Sequence, residues 1–254
     1  MYRDSCFDIH SHILYGVDDG ARSMEESLEM LEMARAEGIR ALILTPHYGI
    51  ENGYAPAKER VLGNFRALKA EAAALYPDLR LFLGSELYCA PGQVTRRVEE
   101  GLALPMAGTR ALLLEFLEYG GVGESAEHIA RSLAAVMEAG WVPILAHAER
   151  YRAFEGRQER YRALASGGVF LQVNAYDLYD HPEGWVKDNA RWIVENRLAR
   201  FIGTDAHRPD HRPPRMRSGV EYLYDHYDED YVDALVYGNA ERMFGRGQTG
   251  LQTS

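Results

Sequence analysis

Cysteine is scarce in this chain of 254 residues, which contains only Cys6 and Cys89. Two thiols so far apart cannot supply a disulfide framework or a four-thiolate zinc site. Long apolar runs are also missing, since none approaches the ~20 residues that a membrane-spanning helix needs. Residues 1–10 lack the apolar segment of a secretory signal. We therefore expect a cytoplasmic protein without a membrane span.

Positive charge is also limited. Lysine occurs only at positions 58, 69 and 187, and the formal net charge is −10. Because proteins hold phosphate backbones mainly through lysine and arginine, this composition disfavours general nucleic-acid binding. A pocket for anions would have to depend on arginine. The hydrophobic fraction of 46% is ordinary, and the length suits one large domain or two small ones.

Short apolar segments alternate with longer amphipathic segments, and this rhythm is typical of a mostly parallel α/β sheet whose strands are buried on both faces. We predict strands at 5–10, 41–45, 79–84, 110–116, 142–147, 169–174 and 200–204. We predict helices at 24–38, 56–75, 124–139, 157–166, 184–197, 216–227 and 229–243. Ser23 and Glu26 form a capping box for the first helix, and Gly38 is its C-cap. No linker or repeat divides the chain, so these units predict a barrel or strongly curled sheet, with an open doubly wound sheet as the alternative.

Metal-competent side chains stand where the predicted strands end. Because parallel strands present their carboxyl ends on the same side, these side chains should converge on one rim. The candidates are His10, His12, Asp19, His47, Glu86, Glu115, His147, Asp205 and His207. His10 and His12 are two residues apart, so on a strand both point to one face, which suits two ligands of one ion. Asp205 and His207 repeat this spacing.

Each candidate also has an ordinary structural explanation. The sequence Asp18-Asp19-Gly20 is typical of a turn, and Glu115 could pair with Arg110 or Arg150. Taken together, however, six strand ends that each carry such a residue favour a metal site. Imidazoles and carboxylates without thiolate suit manganese, iron or zinc, and nine candidates predict two or three ions. The other histidines, at 128, 181, 211 and 226, are predicted to be surface residues.

Several of these motifs together resemble a known family. "DIHSH", the "TPH" after the second strand, "GSE", the acid that ends the fourth strand, "AHAER" and "GTDAH" are similar to the polymerase-and-histidinol-phosphatase (PHP) superfamily. The segments "VDDGARSMEES" and "GSELY" resemble more closely the bacterial manganese-dependent protein-tyrosine phosphatases of capsule and exopolysaccharide loci. The similarity extends from about residue 7 to beyond residue 212.

This resemblance implies a fold and a metal centre. The fold would be a distorted (β/α)7 TIM-like barrel, in a single PHP domain over residues 1–245, followed by a disordered tail at 246–254. The centre would hold three ions at the carboxyl ends of the strands. The implied ligand sets are His10, His12, Glu86 and Asp205 for one ion, Glu86, Glu115 and His147 for a second, and Asp19, His47 and His207 for a third.

Two arginines match residues that bind the substrate phosphate in the family, namely Arg150 and Arg212. The segment "RPDHRPPR" is richer in proline and arginine than the family pattern, so Arg208 and Arg215 are alternatives to Arg212. Arg150 could instead form a salt bridge with Glu149 or Glu115.

The resemblance also implies an activity and a partner. The substrate would be phosphotyrosine on a bacterial tyrosine kinase involved in capsule or exopolysaccharide regulation, and the cofactor would be Mn²⁺. A metal-activated hydroxide would attack phosphorus while metals and arginines stabilise the charge. Asp18 is a candidate general acid. Thr95 stands six residues after Cys89, where thiol-based tyrosine phosphatases need arginine, so no cysteine nucleophile is implied.

Three other functions remain open from the sequence. The first is a PHP phosphatase of a small metabolite such as histidinol phosphate. The second is a PHP exonuclease, against which the net charge of −10 weighs. The third is a binding module with a structural metal site, against which the surplus of ligands and the nearby arginines argue.

Overall fold

The structure, a computed structural model, describes residues 4–49, 53–89, 94–101, 103–116 and 125–246. The described strands are β1 (Cys6–Asp8), β2 (Ile39–Leu44), β3 (His47–Tyr48), β4 (Arg80–Leu83), β5 (Glu86–Tyr88), β6 (Ala111–Glu115), β7 (Val142–Leu145), β8 (Phe170–Asn174) and β9 (Ala199–Gly203). All pairings among these strands are parallel. Each of the seven predicted strands is confirmed to within a few residues.

The strands form a distorted barrel whose hydrogen-bonded ladder is interrupted. One sheet has the order β1-β2-β4 and the other the order β3-β5-β6-β7-β8-β9. β3 continues the path of β2 after Pro46, which has no N–H to donate to a ladder. β5 continues the path of β4 after Gly84 and Ser85. Two backbone bonds cross these breaks, from Gly84 N to the oxygen of Leu44 (2.9 Å) and from Glu86 N to that of Pro46 (3.1 Å).

The first and last strands are also neighbours. Asp205 N donates to His10 O over 2.8 Å, and His12 N donates to Ala206 O over 2.7 Å. The strands therefore follow one another in chain order, without the reversal of an open doubly wound sheet. The predicted α/β barrel-like fold is confirmed, although its ladders do not close into one continuous barrel.

Helices connect the strands. They are α1 (Met24–Ala36), α2 (Lys58–Leu75), α3 (Val94–Glu99), α4 (Ala126–Glu138), α5 (Glu159–Ser166), α6 (Gly184–Glu195), α7 (Arg217–His226), α8 (Glu229–Asp233) and α9 (Asn239–Phe244). The single helix predicted at 229–243 is instead α8 and α9 joined by a π turn at Ala234–Gly238. The six residues of α3 are too few for a periodic pattern, and the sequence did not predict this helix. Among the described residues, no helix is both long and apolar enough to cross a membrane.

The cap predicted for α1 forms in part. Ser23 Oγ accepts a hydrogen bond from Glu26 N (3.3 Å), and Gly38 follows the helix with φ of 89°. Glu26 does not return to Ser23 N; its carboxylate accepts from Arg22 N instead, over 2.8 Å. The tail predicted at 246–254 lies, apart from residue 246, outside the described residues.

Two apolar layers position the site. One buried cluster joins alternate residues of the strands to α9, and Phe244 of α9 packs edge-on against Phe7 with ring centroids 6.4 Å apart. The second cluster lies between the strands and the helices; on β6, Leu112 and Leu114 belong to it while Leu113 belongs to the first. This alternation fills the space between the strands with apolar side chains below the carboxyl ends, where the polar residues gather.

Candidate metal centre

The structure brings all nine predicted metal-site residues together. Each has a nitrogen or oxygen within 4 Å of such an atom in at least one other member. His10 and His12 follow β1, His47 begins β3, Glu86 begins β5 and Glu115 ends β6. His147 follows β7, Asp205 and His207 follow β9, and Asp19 lies in the loop before α1. The strand ends therefore converge on one rim, as the sequence predicted.

Glu86 lies at the centre of this cluster and is fully buried. Its Oε1 is 3.2 Å from His10 Nε2 and 3.0 Å from His147 Nε2. Its Oε2 is 3.2 Å from His12 Nε2 and 3.1 Å from His47 Nδ1. Burial opposes ionisation, but the charges of His10 and His47 hold the pKa of Glu86 well below its ordinary value. Glu86 is thus a carboxylate in contact with four imidazoles.

The tautomers of His10 and His12 follow from their outer hydrogen bonds. His10 Nδ1 donates to Gln172 Oε1 over 3.0 Å, and the same oxygen accepts from His147 N, which fixes the orientation of the amide. His12 Nδ1 donates to Asp18 Oδ2 over 2.9 Å. With the protons on Nδ1, both rings present a lone pair at Nε2, and the two Nε2 atoms are 3.2 Å apart.

These donor atoms fit a metal ion. Two lone pairs that face each other beside a buried carboxylate repel one another unless a proton or a metal ion lies among them. Without a metal ion, burial opposes protonation of His12, but Asp18, Asp205 and Glu86 raise its pKa well above the ordinary value, so the site attracts positive charge. Imidazole nitrogen and carboxylate oxygen are ligands that divalent manganese, iron and zinc accept, and outer hydrogen bonds that set the tautomer are usual for ligating histidines. Three groups of described residues bring their ligand atoms within 4.8 Å of one another: His10, His12 and Glu86; His47, Glu86 and Glu115; and His12, Asp19, His47 and His207.

The grouping differs from the predicted ligand sets at His12, His47, His147 and Asp205. His47 Nδ1 lies 3.1 Å from Glu115 Oε1 and joins Glu86 and Glu115 in the second group, and His12 joins the third. His147 belongs to none of the three groups, although its Nε2 is 3.0 Å from Glu86. Asp205 Oδ1 lies 3.6 Å from His10 Nε2 and 3.5 Å from His12 Nε2, beside the first group.

The charges in the cluster perturb its members strongly. Burial and the charge of Glu86 raise the pKa of Glu115. Burial and the neighbouring His12 oppose protonation of His47, but Glu86 and Glu115 raise its pKa to about 10. Burial and the charge of His12 lower the pKa of His207 to about 2. Such opposed shifts within one cleft are typical of functional sites.

Backbone strain is concentrated at the same place. His147 has φ of 31° and Asp205 has φ of 53°, both in the left-handed region that non-glycine residues rarely adopt. Each stands two residues past the end of a strand, where the chain turns its side chain towards the cluster. Such strain persists only where the surroundings hold it in place.

Asp18, the candidate general acid, contacts two of the candidate ligands and the loop that carries it. Its side chain is buried, and Oδ2 accepts from both His12 Nδ1 and His47 N, each over 2.9 Å. Its Oδ1 accepts from Gly20 N over 3.0 Å. A Cβ at Gly20 would lie 1.9 Å from His12 O, so only glycine fits this loop. In this geometry Asp18 orients His12 and fastens the loop, and its oxygens are turned towards donors.

Both predicted phosphate-binding arginines lie beside Asp205. Arg150 NH1 is 3.2 Å and Arg212 NH1 is 2.8 Å from Asp205 Oδ2. Arg150 is also held by the buried Asp177, through Nε to Oδ2 over 2.7 Å and NH2 to Oδ1 over 3.4 Å. Arg208 makes a weaker contact of 3.4 Å with Asp210. Arg150 therefore has Asp177 and Asp205 as ion-pair partners.

Sequence reasoning missed the residues that support these ligands. β8 contributes Gln172, which bonds His10, and Asn174, whose Nδ2 donates to Asp205 Oδ2 over 3.2 Å. The two are linked by a bond of 2.8 Å from Gln172 Nε2 to Asn174 Oδ1. Asp177, which holds Arg150, follows the same strand. The available signal was two polar residues, two positions apart, inside the apolar segment "VFLQVN".

A cleft opens beside the cluster. Its volume is about 440 Å³, and its lining is Arg150, Tyr176, His181, Pro182, Thr204, His211, Arg212, Pro213 and Arg215. Ligand pockets commonly measure roughly 300–1,000 Å³, so the cleft can admit a substituted aromatic ring with part of its chain. An anion that enters it meets guanidinium groups beside the candidate metal ligands.

A parallel α/β barrel with clustered imidazoles and carboxylates at the carboxyl ends of its strands is the architecture of a metallohydrolase. The chain belongs to the CpsB/CapC family of capsular polysaccharide synthesis, whose family model matches residues 6–245.

Named relatives are similar over nearly their whole length. Tyrosine-protein phosphatase CpsB of Streptococcus agalactiae serotype V is 28% identical over 241 residues, which cover 93% of this chain and 97% of the relative. Tyrosine-protein phosphatase YwqE of Bacillus subtilis is 32% identical over 249 residues, which cover 95% and 92%. A solved structure from work on YwqE of Bacillus subtilis and CpsB of Streptococcus pneumoniae, described as unique metal-dependent tyrosine phosphatases, matches with a TM-score of 0.83. It is 24% identical and covers 97% of both chains, and at this identity it shows the shared fold.

Proposed function

We propose that this protein is a metal-dependent protein-tyrosine phosphatase. The observation that carries the proposal is the pair of Nε2 nitrogens of His10 and His12, 3.2 Å apart beside the buried Glu86, with Arg150 and Arg212 on the adjoining Asp205. A cation site next to guanidinium groups is suited to a phosphoryl group. The names of the relatives, tyrosine-protein phosphatases CpsB and YwqE, support phosphotyrosine as the substrate.

The proposed cofactor is Mn²⁺, as two or three ions, and iron or zinc would accept the same donors. The proposed ligands are His10, His12, Asp19, His47, Glu86, Glu115, His147, Asp205 and His207. Bound there, the ions would supply Lewis acidity towards phosphoryl oxygens and would lower the pKa of water from about 16 towards about 7. Glu86, in contact with four imidazoles, is suited to bridge two ions.

The protein's own side chains bind the phosphate and orient the candidate metal ligands. Arg150 and Arg212 bind the equatorial phosphate oxygens, for which a planar guanidinium is better shaped than an ammonium. Asp177 fixes the plane of Arg150. Asp18 keeps His12 in its Nδ1–H tautomer. Tyrosine phenol ionises near a pH of about 10, so the leaving group places little demand on a general acid.

The proposed substrate protein is a bacterial tyrosine kinase that takes part in capsule or exopolysaccharide regulation. The family description, capsular polysaccharide synthesis, supports this setting. The cleft beside Arg150 and Arg212 has room for a tyrosine side chain that is part of a protein segment. The proposed location of the reaction is the cytoplasm.

The test compares substrates and metals in one preparation. Purified protein is analysed for its elements, stripped with EDTA, and assayed after addition of Mn²⁺, Fe²⁺ or Zn²⁺ separately. We expect no hydrolysis of a phosphotyrosine peptide by stripped protein, recovery with Mn²⁺, and slow turnover of histidinol phosphate and single-stranded DNA. Hydrolysis of the peptide by protein without metal would contradict the proposal. Faster turnover of histidinol phosphate than of the peptide would replace it with a metabolite phosphatase.

A further inference from the structure

The cleft beside the candidate metal centre contains an arginine that the proposed phosphate site does not use. Arg212 turns to Asp205, with NH1 2.8 Å from Oδ2. Arg215, three residues later, lines the same cleft but stacks on Tyr176, its guanidinium carbon 4.9 Å from the ring centroid. Within the described part of the chain, no carboxylate makes an ion pair with Arg215. Its charge therefore faces the cleft uncompensated.

The backbone on both sides of Arg215 is fixed. Pro213 and Pro214 precede it, and proline locks φ near about −65°. After it, Met216 is buried, and the backbone N–H groups of Met216 and Arg217 both donate to Glu37 Oε2, over 3.0 and 2.9 Å. A backbone that is held in this way loses little entropy when the segment binds a partner.

The ring under Arg215 is also held in place. Tyr176 begins the short helical turn Tyr176–Leu178 after β8 and packs edge-on against Tyr179, with ring centroids 5.7 Å apart. A guanidinium has five N–H donors, so Arg215 can lie over this ring and still offer donors to a ligand in the cleft. Arg215 and Tyr176 thus form a cation–π pair at the side of the cleft.

The charge of the cleft is opposite to that of the whole protein. Among the described residues that line it are three arginines and two histidines and no carboxylate, while the chain as a whole carries a net charge of −10. An acidic segment is therefore repelled by most of the surface and attracted here, which favours orientation of the segment into the cleft.

We propose that Arg215 recognises an anionic side chain one or two residues away from the phosphotyrosine, so that the protein prefers acidic substrate segments. This inference rests on the proposed function, with the phosphate of the tyrosine bound at Arg150 and Arg212. Three residues of chain span at most about 10 Å, so the side chain of Arg215 starts within reach of a neighbour of the bound phosphotyrosine. Glutamate, aspartate or a second phosphotyrosine supplies the same anionic chemistry.

The test uses matched peptides on the manganese-loaded full chain. One phosphotyrosine peptide carries Glu at the two positions on each side, a second carries Gln there, and a third carries a non-hydrolysable phosphonate analogue of phosphotyrosine two residues away. The readout is the ratio of kcat/KM for each anionic peptide to that for the Gln peptide. Because all three share the reacting phosphate, a loss of phosphate binding would lower all of them and leave the ratios unchanged.

We expect the wild-type protein to prefer the Glu peptide by about threefold to fivefold, as one exposed ion pair allows. The phosphonate peptide, with more charge per group, should be preferred by about tenfold. In Arg215→Gln both ratios should fall to about one, and in Arg215→Glu they should invert. Arg131→Gln, at an exposed position of α4 outside the cleft, should keep the wild-type ratios. Preference for the phosphonate peptide alone would identify phosphate as the group recognised.

Equal turnover of all peptides by the wild type, or an unchanged ratio in Arg215→Gln, would overturn the inference while leaving the proposed function intact. Absence of turnover of every peptide and of para-nitrophenyl phosphate would instead overturn the proposed function. In that event the ratio of dissociation constants for Glu and Gln peptides that carry the phosphonate at the central position, measured by fluorescence anisotropy, still decides the inference.

Discussion

Asp18 Oδ2 accepts two hydrogen bonds of 2.9 Å at once, one from His12 Nδ1 and one from His47 N. A single carboxylate oxygen thus fixes the tautomer of one candidate ligand and the position of the strand that carries another. His12 then presents its lone pair at Nε2 to the cluster. The loop "VDDG" therefore supports the candidate ligands from outside, through Asp18, and reaches the cluster directly through Asp19.

Substitution of Asp18 should weaken metal binding. Asp18→Ala removes the acceptor that orients His12, and loss of such an outer partner commonly lowers metal affinity by about 10- to 100-fold. Asp18→Asn keeps one acceptor oxygen and should lose less. The measurement is manganese affinity by competition with a fluorescent chelator, with circular dichroism to check the fold. If Asp18 were instead the general acid, both variants would bind metal normally, and their loss of kcat would be larger for phosphate esters with poorer leaving groups.

Much of the fold and of the cluster could be predicted because both depend on local patterns. Each strand was a short apolar segment, and six of the seven predicted carboxyl ends were marked by a residue such as His47 or Glu86. Parallel pairing then required these ends to meet, whatever the loops between them do. Ser23 was likewise predicted to cap α1 because capping involves residues only three positions apart.

The partners of each side chain could not be predicted in the same way. The position of His47 along its strand predicts that it reaches the rim, but it does not predict that its Nδ1 lies 3.1 Å from Glu115 Oε1. Gln172 was overlooked because glutamine has no metal-binding role of its own, and its function arises only from contact with His10. Arg215 and Arg212 are equivalent in sequence and differ in the group each one faces.

A metal chelator should abolish activity, whereas a thiol reagent should leave it unchanged. Cys6 and Cys89 are both buried, and burial, with a smaller contribution from Asp8, raises the pKa of Cys6 to about 12. Because the thiolate is the reactive form, Cys6 stays protonated and unreactive at pH 8. We expect iodoacetamide to leave aryl phosphatase activity unchanged and EDTA to abolish it. Mass spectrometry should find no adduct on the folded protein and two after unfolding in urea. Loss of activity in step with a single adduct would point to a thiol nucleophile.

Substitution of Asp177, whose carboxylate accepts hydrogen bonds from Arg150, should raise KM. Asp177→Asn leaves the guanidinium held mainly by Asp205, so its plane is less well fixed for the phosphate. We expect KM to rise by about tenfold with a smaller change in kcat, because the lost positioning affects the bound phosphate in ground state and transition state alike. Inhibition by inorganic phosphate should weaken to the same extent, and manganese content should not change. The exposed Asp180→Asn is the matched control.

A double variant separates positioning from a general structural effect. If Asp177 acts through Arg150, then Asp177→Asn should cost little further kcat/KM in an Arg150→Gln background, since residues that act as a unit are not additive. Full additivity of the two losses would show that Asp177 acts on something else.

Tyr161→Phe should make the protein more resistant to alkali. The ring is packed between Phe154 and Trp192, with centroid distances of 5.0 and 6.3 Å, and the hydroxyl has no hydrogen-bond partner among the described residues. Burial, together with the nearby charge of Glu149, raises the pKa of Tyr161 well above its ordinary value. Phenylalanine keeps the ring and removes only the buried hydroxyl.

The direction of the effect follows from proton counting. Above a pH of about 10 an unfolded tyrosine loses its proton while the folded Tyr161 keeps it, so the native state binds more protons and its stability falls as pH rises. One such group contributes up to about 1.4 kcal/mol per pH unit. The free energy of unfolding is measured with urea, in the presence of EDTA, at pH 9, 10 and 11. In Tyr161→Phe it should fall less steeply with pH than in the wild type, by up to this amount. The free energy at pH 9 should be unchanged or higher, because the phenylalanine ring leaves no buried hydroxyl without a partner. Tyr179→Phe, at a partly exposed ring, should keep the wild-type slope. A variant slope as steep as that of the wild type would mean that Tyr161 ionises equally well in the folded protein, and hence that water or another group reaches its hydroxyl.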